Sequence, residues 1–99
     1  MKYLMINKLK PECVELYADA HRNCWPEMRQ ALIDAGATDC VTFVYGSASY
    51  LFYECDDLDK SFEKLGSIEA NRRWQEMCAP WFDGPFELIL AELVFDLGS

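Results

Sequence analysis

The stretch Tyr17-Ala18-Asp19-Ala20-His21-Arg22-Asn23-Cys24-Trp25-Pro26-Glu27 divides a helical region in two and carries the single histidine of the chain, His21. Tyr17 stands four residues before it, so on a helix the phenol and the imidazole share one face. Pro26 forbids an ordinary continuation. Its ring would collide with the carbonyl of Arg22, and it disfavours helical backbone at Trp25. One helix is therefore expected to end near His21–Asn23 and another to begin at Pro26, where proline is tolerated in the first turn. A histidine at a helix end, flanked by Tyr and Trp, is placed to face a cavity; a packed or solvated terminal histidine would carry the same signature.

Working outward, Lys2–Leu9 reads as a short apolar-rich strand with polar punctuation. Pro11 suits a helix start, after which Cys13, Tyr17, Ala20 and Cys24 keep the spacing of one helical face. From Pro26 the pattern restarts with Met28, Ala31, Leu32 and Ala35, and Gly36 suits the close of that helix. Cys40–Tyr45 is β-branched and aromatic, Gly46–Ser49 reads as a turn and Tyr50–Cys55 as the return strand of a hairpin. Asp56 or Asp57 can cap a helix running through Phe62 and Leu65 to Gly66. A further helix follows Ile68, with Ala70, Trp74, Met77, Cys78 and Trp81 as its apolar stripe and Pro80 at its end. Phe86–Phe95 is the last expected strand, with Ile89, Ala91, Leu93 and Phe95 alternating onto one face.

The order is β-α-β-β-α-β with each helical segment broken in two, which predicts an α+β fold: a ferredoxin-like sandwich, with helices on one face of an antiparallel sheet. Residues 1–99 are read as one such domain, and 52% hydrophobic content is enough for a core. The uncovered sheet face also carries apolar residues, so it must be covered or enclose a ligand. Two sheets meeting face to face in a homodimer would meet that need.

A net charge of −8 argues against nucleic acid as a partner, because neutralising phosphates needs clustered Lys and Arg. It equally disfavours an anionic membrane surface, and no run approaches a transmembrane length. The first ten residues interrupt their apolar run with charges, unlike an export signal. The five cysteines Cys13, Cys24, Cys40, Cys55 and Cys78 are odd in number and form no Cys-x-x-Cys pair. With one histidine, a zinc cluster is not expected, and reduced thiols in the cytoplasm are the simplest account. Cys24 and Cys40 are weak candidates for a nucleophile, since each would need the one histidine as its base.

His21-(x3)-Trp25-Pro26-Glu27 with a Tyr four residues upstream, then Gly36-Ala37, the Leu51-Phe52 strand, Arg73-Trp74-(x2)-Met77 and Glu92-(x)-Val94-Phe95, resemble the L-rhamnose mutarotase family over nearly the whole chain. The resemblance implies a dimeric α/β barrel built from ferredoxin-like units. It implies a monosaccharide as substrate, no cofactor and no metal. Two positions depart from the family's pattern. Cys40 stands where a substrate-binding Tyr is usual, and Trp74-Gln75 replaces paired tryptophans, so the preferred sugar is open.

The implied reaction interconverts the α and β anomers of a 6-deoxyhexose such as L-rhamnose or L-fucose. Ring opening needs a proton delivered to the ring oxygen and another taken from the anomeric hydroxyl. His21 near its ordinary pKa is the expected proton donor. Tyr17, Cys40, Trp74, Gln75 and Trp25 are the expected substrate contacts, although Trp25 and Trp74 equally suit core packing on helical stripes. Glu27 is given no catalytic role, being a first-turn carboxylate favoured by the helix dipole. Two other readings share the fold: a cofactor-independent monooxygenase of the dimeric-barrel type, and a non-enzymatic small-ligand binding module.

Overall fold

The computed structural model describes residues 1–84 and 89–98. Four strands, β1 (Lys2–Lys8), β2 (Asp39–Tyr45), β3 (Ala48–Glu54) and β4 (Ile89–Ala91), form one sheet in the order β2-β3-β1-β4, with every pair antiparallel. The helices are α1 (Val14–Arg22), entered through a 3₁₀ turn at Pro11–Cys13, then α2 (Pro26–Asp34), α3 (Leu58–Gly66) and α4 (Glu69–Cys78). A second 3₁₀ turn, Ala79–Trp81, follows α4 where Pro80 bars a longer helix. This is the expected ferredoxin-like α+β sandwich.

The break between α1 and α2 follows the chemistry of Pro26. Trp25 takes extended backbone (φ −60°, ψ 140°), as a residue before proline prefers, and Pro26 opens α2. Gly36, at φ +95°, closes α2 with Gly36 N–H donating to the Ile33 carbonyl and Ala37 N–H to that of Leu32, both at 3.0 Å. That double bond pattern requires a left-handed residue, which only glycine supplies without strain. Of the two capping candidates it is Asp57 that caps α3, accepting from the Lys60 N–H at 3.1 Å.

The hairpin turn is shorter than expected. Tyr45 pairs directly with Ala48, so only Gly46-Ser47 lies between the strands, and Ala48 and Ser49 belong to β3. Gly46 at φ +58° supplies the positive dihedral that two-residue hairpin loops demand. Tyr53 and Met5, 1% and 0% exposed, point into the helix side of the sheet. Above them Met28, Ala31, Leu65, Ala70, Trp74 and Cys78 form the core between the helices.

The last strand also differs from expectation. The expected start at Phe86 lies outside the described residues, and β4 spans only Ile89–Ala91. Its register sets Leu4 opposite Ala91, so β1 has only its first few residues left beyond that point. Among the described residues, Phe95 pairs with no strand. Leu93, Val94, Phe95 and Leu97 are 53%, 84%, 77% and 89% exposed, while Asp96 pins the segment to Lys2 through an ion pair of 2.9 Å.

Candidate active site

The helices do not close completely onto the sheet. Between them lies a cavity of about 340 Å³. Strand alternation sets its floor: Met5 and Asn7 of β1, Leu51 and Tyr53 of β3, and Cys40 and Thr42 of β2 all face the helix side. Tyr17, His21 and Cys24 come from α1 and its end, Met28 and Leu32 from α2, Phe62 and Leu65 from α3, and Asn71, Trp74, Gln75 and Cys78 from α4. An outer depression between β2 and α1 shares His21, Cys24, Leu32, Cys40 and Thr42 with the cavity, so His21 stands where the two meet.

His21 is held tightly for a residue in the last turn of a helix. Its Nδ1 lies 2.7 Å from the carbonyl oxygen of Tyr17, one turn back. A carbonyl can only accept, so Nδ1 carries the proton and donates it, and in the neutral ring Nε2 is left as an acceptor. The imidazole stacks on the Tyr17 ring at 4.1 Å and meets the edge of Trp74 at 5.1 Å. Burial pulls its pKa below the ordinary histidine value, with the bond to the Tyr17 carbonyl opposing in part. The expectation of an ordinary pKa is therefore corrected. At neutral pH the ring is uncharged and ready to accept a proton before it can donate one.

Tyr17 is 5% exposed, and its hydroxyl shares a hydrogen bond of 2.9 Å with Ser49 Oγ, a residue that strand β3 buries completely. Burial above all raises the phenol's pKa, so it remains a neutral donor or acceptor. Cys40 lines the floor, its thiol pushed up to about 11 by burial, and Cys78 is pushed up to about 12 by the same cause. Burial raises Cys24 too. Protonated thiols are poor nucleophiles, which removes the cysteine chemistry considered above. All five cysteines are free.

Of the residues singled out in the sequence, Tyr17, His21, Cys40, Trp74 and Gln75 surround this one cavity. Trp25 does not join them. It stands behind Trp74, edge to face at 5.1 Å, with the Arg73 guanidinium over its outer face at 5.4 Å. Glu27 is 3.8 Å from that guanidinium, a contact that leaves the carboxylate on the surface. Asn7, Thr42 and Asn71 were not singled out. Each occupies the inward phase of an otherwise apolar pattern, Asn7 between Met5 and Leu9, Asn71 one turn before Trp74, and this phase is the signal that could have found them.

Among the described residues, no cluster of three or more His, Cys, Asp or Glu side chains is arranged to hold a metal ion, and no helix is long and apolar enough to cross a membrane.

Comparison with known proteins bears on the family and the fold. A sequence profile for L-rhamnose mutarotase matches residues 2–92. L-rhamnose mutarotases of two Listeria monocytogenes strains are each 32% identical over 73 residues, covering 73% of this chain and 70% of theirs. The crystal structure of an L-rhamnose mutarotase from Formosa agariphila superposes with a TM-score of 0.79 at 20% identity, covering 98% of each chain. An antibiotic biosynthesis monooxygenase superposes with a TM-score of 0.69 at 14% identity, covering 94% of this chain and 97% of that one. At such identities both superpositions speak for the fold alone.

The lowered pKa of His21 has a consequence for stability. The unfolded chain takes up the histidine proton near pH 6.5, before the folded protein does, so stability is full above that value and declines as pH falls below it. Urea denaturation of the wild type between pH 6.5 and 5.5 should show this decline, and His21→Asn should flatten it over the same range. A wild-type stability that is constant or rising on acidification through that window would contradict a buried neutral ring.

Proposed function

The chain belongs to the L-rhamnose mutarotase family, and from that premise we propose that it interconverts the α and β anomers of a 6-deoxyhexose, L-rhamnose or a relative such as L-fucose. The observation that carries the proposal is the placement of His21, which lines a sugar-sized cavity with its Nδ1 tied to the Tyr17 carbonyl, so that Nε2 is the nitrogen left for a substrate. The proton leaves the anomeric hydroxyl for Nε2 as the bond between C1 and the ring oxygen breaks. The imidazolium then donates that proton to the ring oxygen, which completes the open aldehyde. Rotation about C1–C2 and the reverse sequence on the other face give the second anomer, with atoms and protons balanced. In this scheme His21 remains the proton donor to the ring oxygen, but only after serving as the base.

Tyr17, held by Ser49, hydrogen-bonds the sugar, and Trp74 offers apolar ring surface to its C–H face. Gln75 and Cys40 line the same cavity; by the family resemblance they replace a larger indole and phenol, which would give room and change the donors available. The monooxygenase reading rests on fold likeness alone. A cytoplasmic setting, with all thiols reduced, suits the free cysteines.

We also propose that the working unit is a homodimer. On the outer sheet face, Phe43, Tyr50, Ile6 and Ile89 line up in one row across the four strands, and Val41, Phe52, Leu4 and Ala91 in the next. Phe43 is 61% exposed, and Leu93, Val94 and Phe95 are further exposed apolar side chains. A two-fold pairing covers the same patch on both partners.

Magnetisation transfer between the anomeric protons of L-rhamnose should rise well above the protein-free rate at catalytic protein concentration. His21→Asn should lower the turnover by about 10²–10⁴-fold while sugar binding changes little. If a panel of 6-deoxy and ordinary aldoses all exchange at the protein-free rate, the assignment fails. For the assembly, light scattering at micromolar concentration should give the mass of a dimer, and Phe43→Asp should shift it toward monomer. A fully active wild-type monomer would rule out the paired sheets.

A further inference from the structure

One polar group in the cavity floor is not used by the chemistry above. Asn7 is 7% exposed, and its Oδ1 is buried with no hydrogen-bond partner among the described residues. Its neighbours on the inward face of β1 are Met5 and Leu9, 0% and 1% exposed, so packing alone would favour an apolar residue there. The cross-strand partner of Asn7 is Ser49, whose Oγ is already engaged by the Tyr17 hydroxyl at 2.9 Å. Asn7 thus stands beside that bond without sharing in it, and its side chain borders the same cavity as Tyr17 and His21. Buried amide oxygens are almost always bonded, and one left without a partner destabilises the fold, so this amide gains by turning about its soft terminal torsion toward a polar ligand in the cavity.

The chemistry of that ligand is narrow. An uncharged amide among Met, Phe and Tyr side chains does not offset the desolvation of a charged group. An amide presents an acceptor oxygen and a donor nitrogen side by side, and a hydroxyl can serve either. We propose that Asn7 is a specificity-determining residue that hydrogen-bonds one ring hydroxyl of the bound pyranose, its amide turning so that Oδ1 accepts from the sugar O–H at the Tyr17 end of the cavity. The proposal deepens the mutarotase reading and rests on it. His21 moves protons at C1 and the ring oxygen; Asn7 reads a hydroxyl elsewhere on the ring and fixes which face of the sugar meets Nε2.

The test compares wild type with Asn7→Leu, an apolar residue of similar size, using L-rhamnose and its analogues deoxygenated singly at C2, C3 or C4. Anomer exchange gives kcat and KM, and thermal denaturation gives stability. Asn7→Leu should raise KM for L-rhamnose by roughly three- to tenfold, with kcat within about twofold, the loss set by one hydrogen bond. Wild type should lose the same factor against one deoxy analogue, and Asn7→Leu should not distinguish that analogue from L-rhamnose. The melting temperature should hold or rise, because an unsatisfied buried oxygen is gone. Should Asn7→Leu not fold, Asn7→Ala carries the same expected loss at the same hydroxyl. A variant that discriminates every hydroxyl as wild type does, or whose melting temperature falls while KM is unchanged, would overturn the proposal and leave Asn7 a structural residue. Those results leave wild-type exchange intact, whereas wild type failing to exchange any aldose would overturn both readings together.

Discussion

The hydrogen bond from His21 Nδ1 to the Tyr17 carbonyl, 2.7 Å long and contained within one helical turn, is the constraint on which the cavity depends. It settles three matters together. The imidazole cannot rotate away, its tautomer is set, and the nitrogen left over is an acceptor at the mouth of a largely apolar enclosure. Burial then holds the ring's pKa below the ordinary histidine value, against the smaller opposing effect of the Tyr17 carbonyl. The base we propose is weak, but it is already desolvated and oriented. That is the form of assistance a hemiacetal needs, because its opening requires a proton moved a short distance and no covalent partner.

The break at Trp25–Pro26 serves this arrangement. Were α1 to continue, its next turn would run on past the cavity and the α2 residues Met28 and Leu32 could not return over the sheet to close it. Instead the chain turns at extended Trp25, whose indole braces the back of Trp74, and Trp74 in turn meets the edge of the His21 ring. The helix-breaking proline, the brace and the base form one continuous set of contacts. Below them, the Tyr17–Ser49 bond ties α1 to the central part of the sheet, so the floor and the roof of the cavity keep a common frame. The same arrangement explains why Trp25 matters without touching the cavity.

Features governed by local backbone rules were legible in the sequence. Pro26 marks a helix start and Gly36 a helix close, because each rule involves only the residue and its near neighbours. The alternation of strands and helices followed in the same way, and with it the sandwich. Features decided by distant partners were not legible. Ser49 reads as a turn residue, yet it lies in β3, paired with Asn7 and Val44, and its hydroxyl meets that of Tyr17, far off in sequence. The end of β4 depends on where β1 begins. Asn7 reads as punctuation in an apolar strand; its phase with Met5 and Leu9 hints at an inward position, but its burial comes from the helices packed over that face of the sheet. The pKa of His21 divides along the same line: its carbonyl partner is one turn away and predictable, whereas the burial that outweighs it comes from the assembled fold.

Because His21 is the only histidine, its ring can be observed without ambiguity. Long-range ¹H–¹⁵N correlation of the imidazole at neutral pH reports directly which nitrogen carries the proton. The structure predicts a neutral ring with a protonated Nδ1 and an unprotonated Nε2, and a shift of the Nε2 resonance when the sugar binds. A charged ring at neutral pH, or a proton on Nε2 with Nδ1 bare, would contradict the account of His21 as the base that faces the sugar.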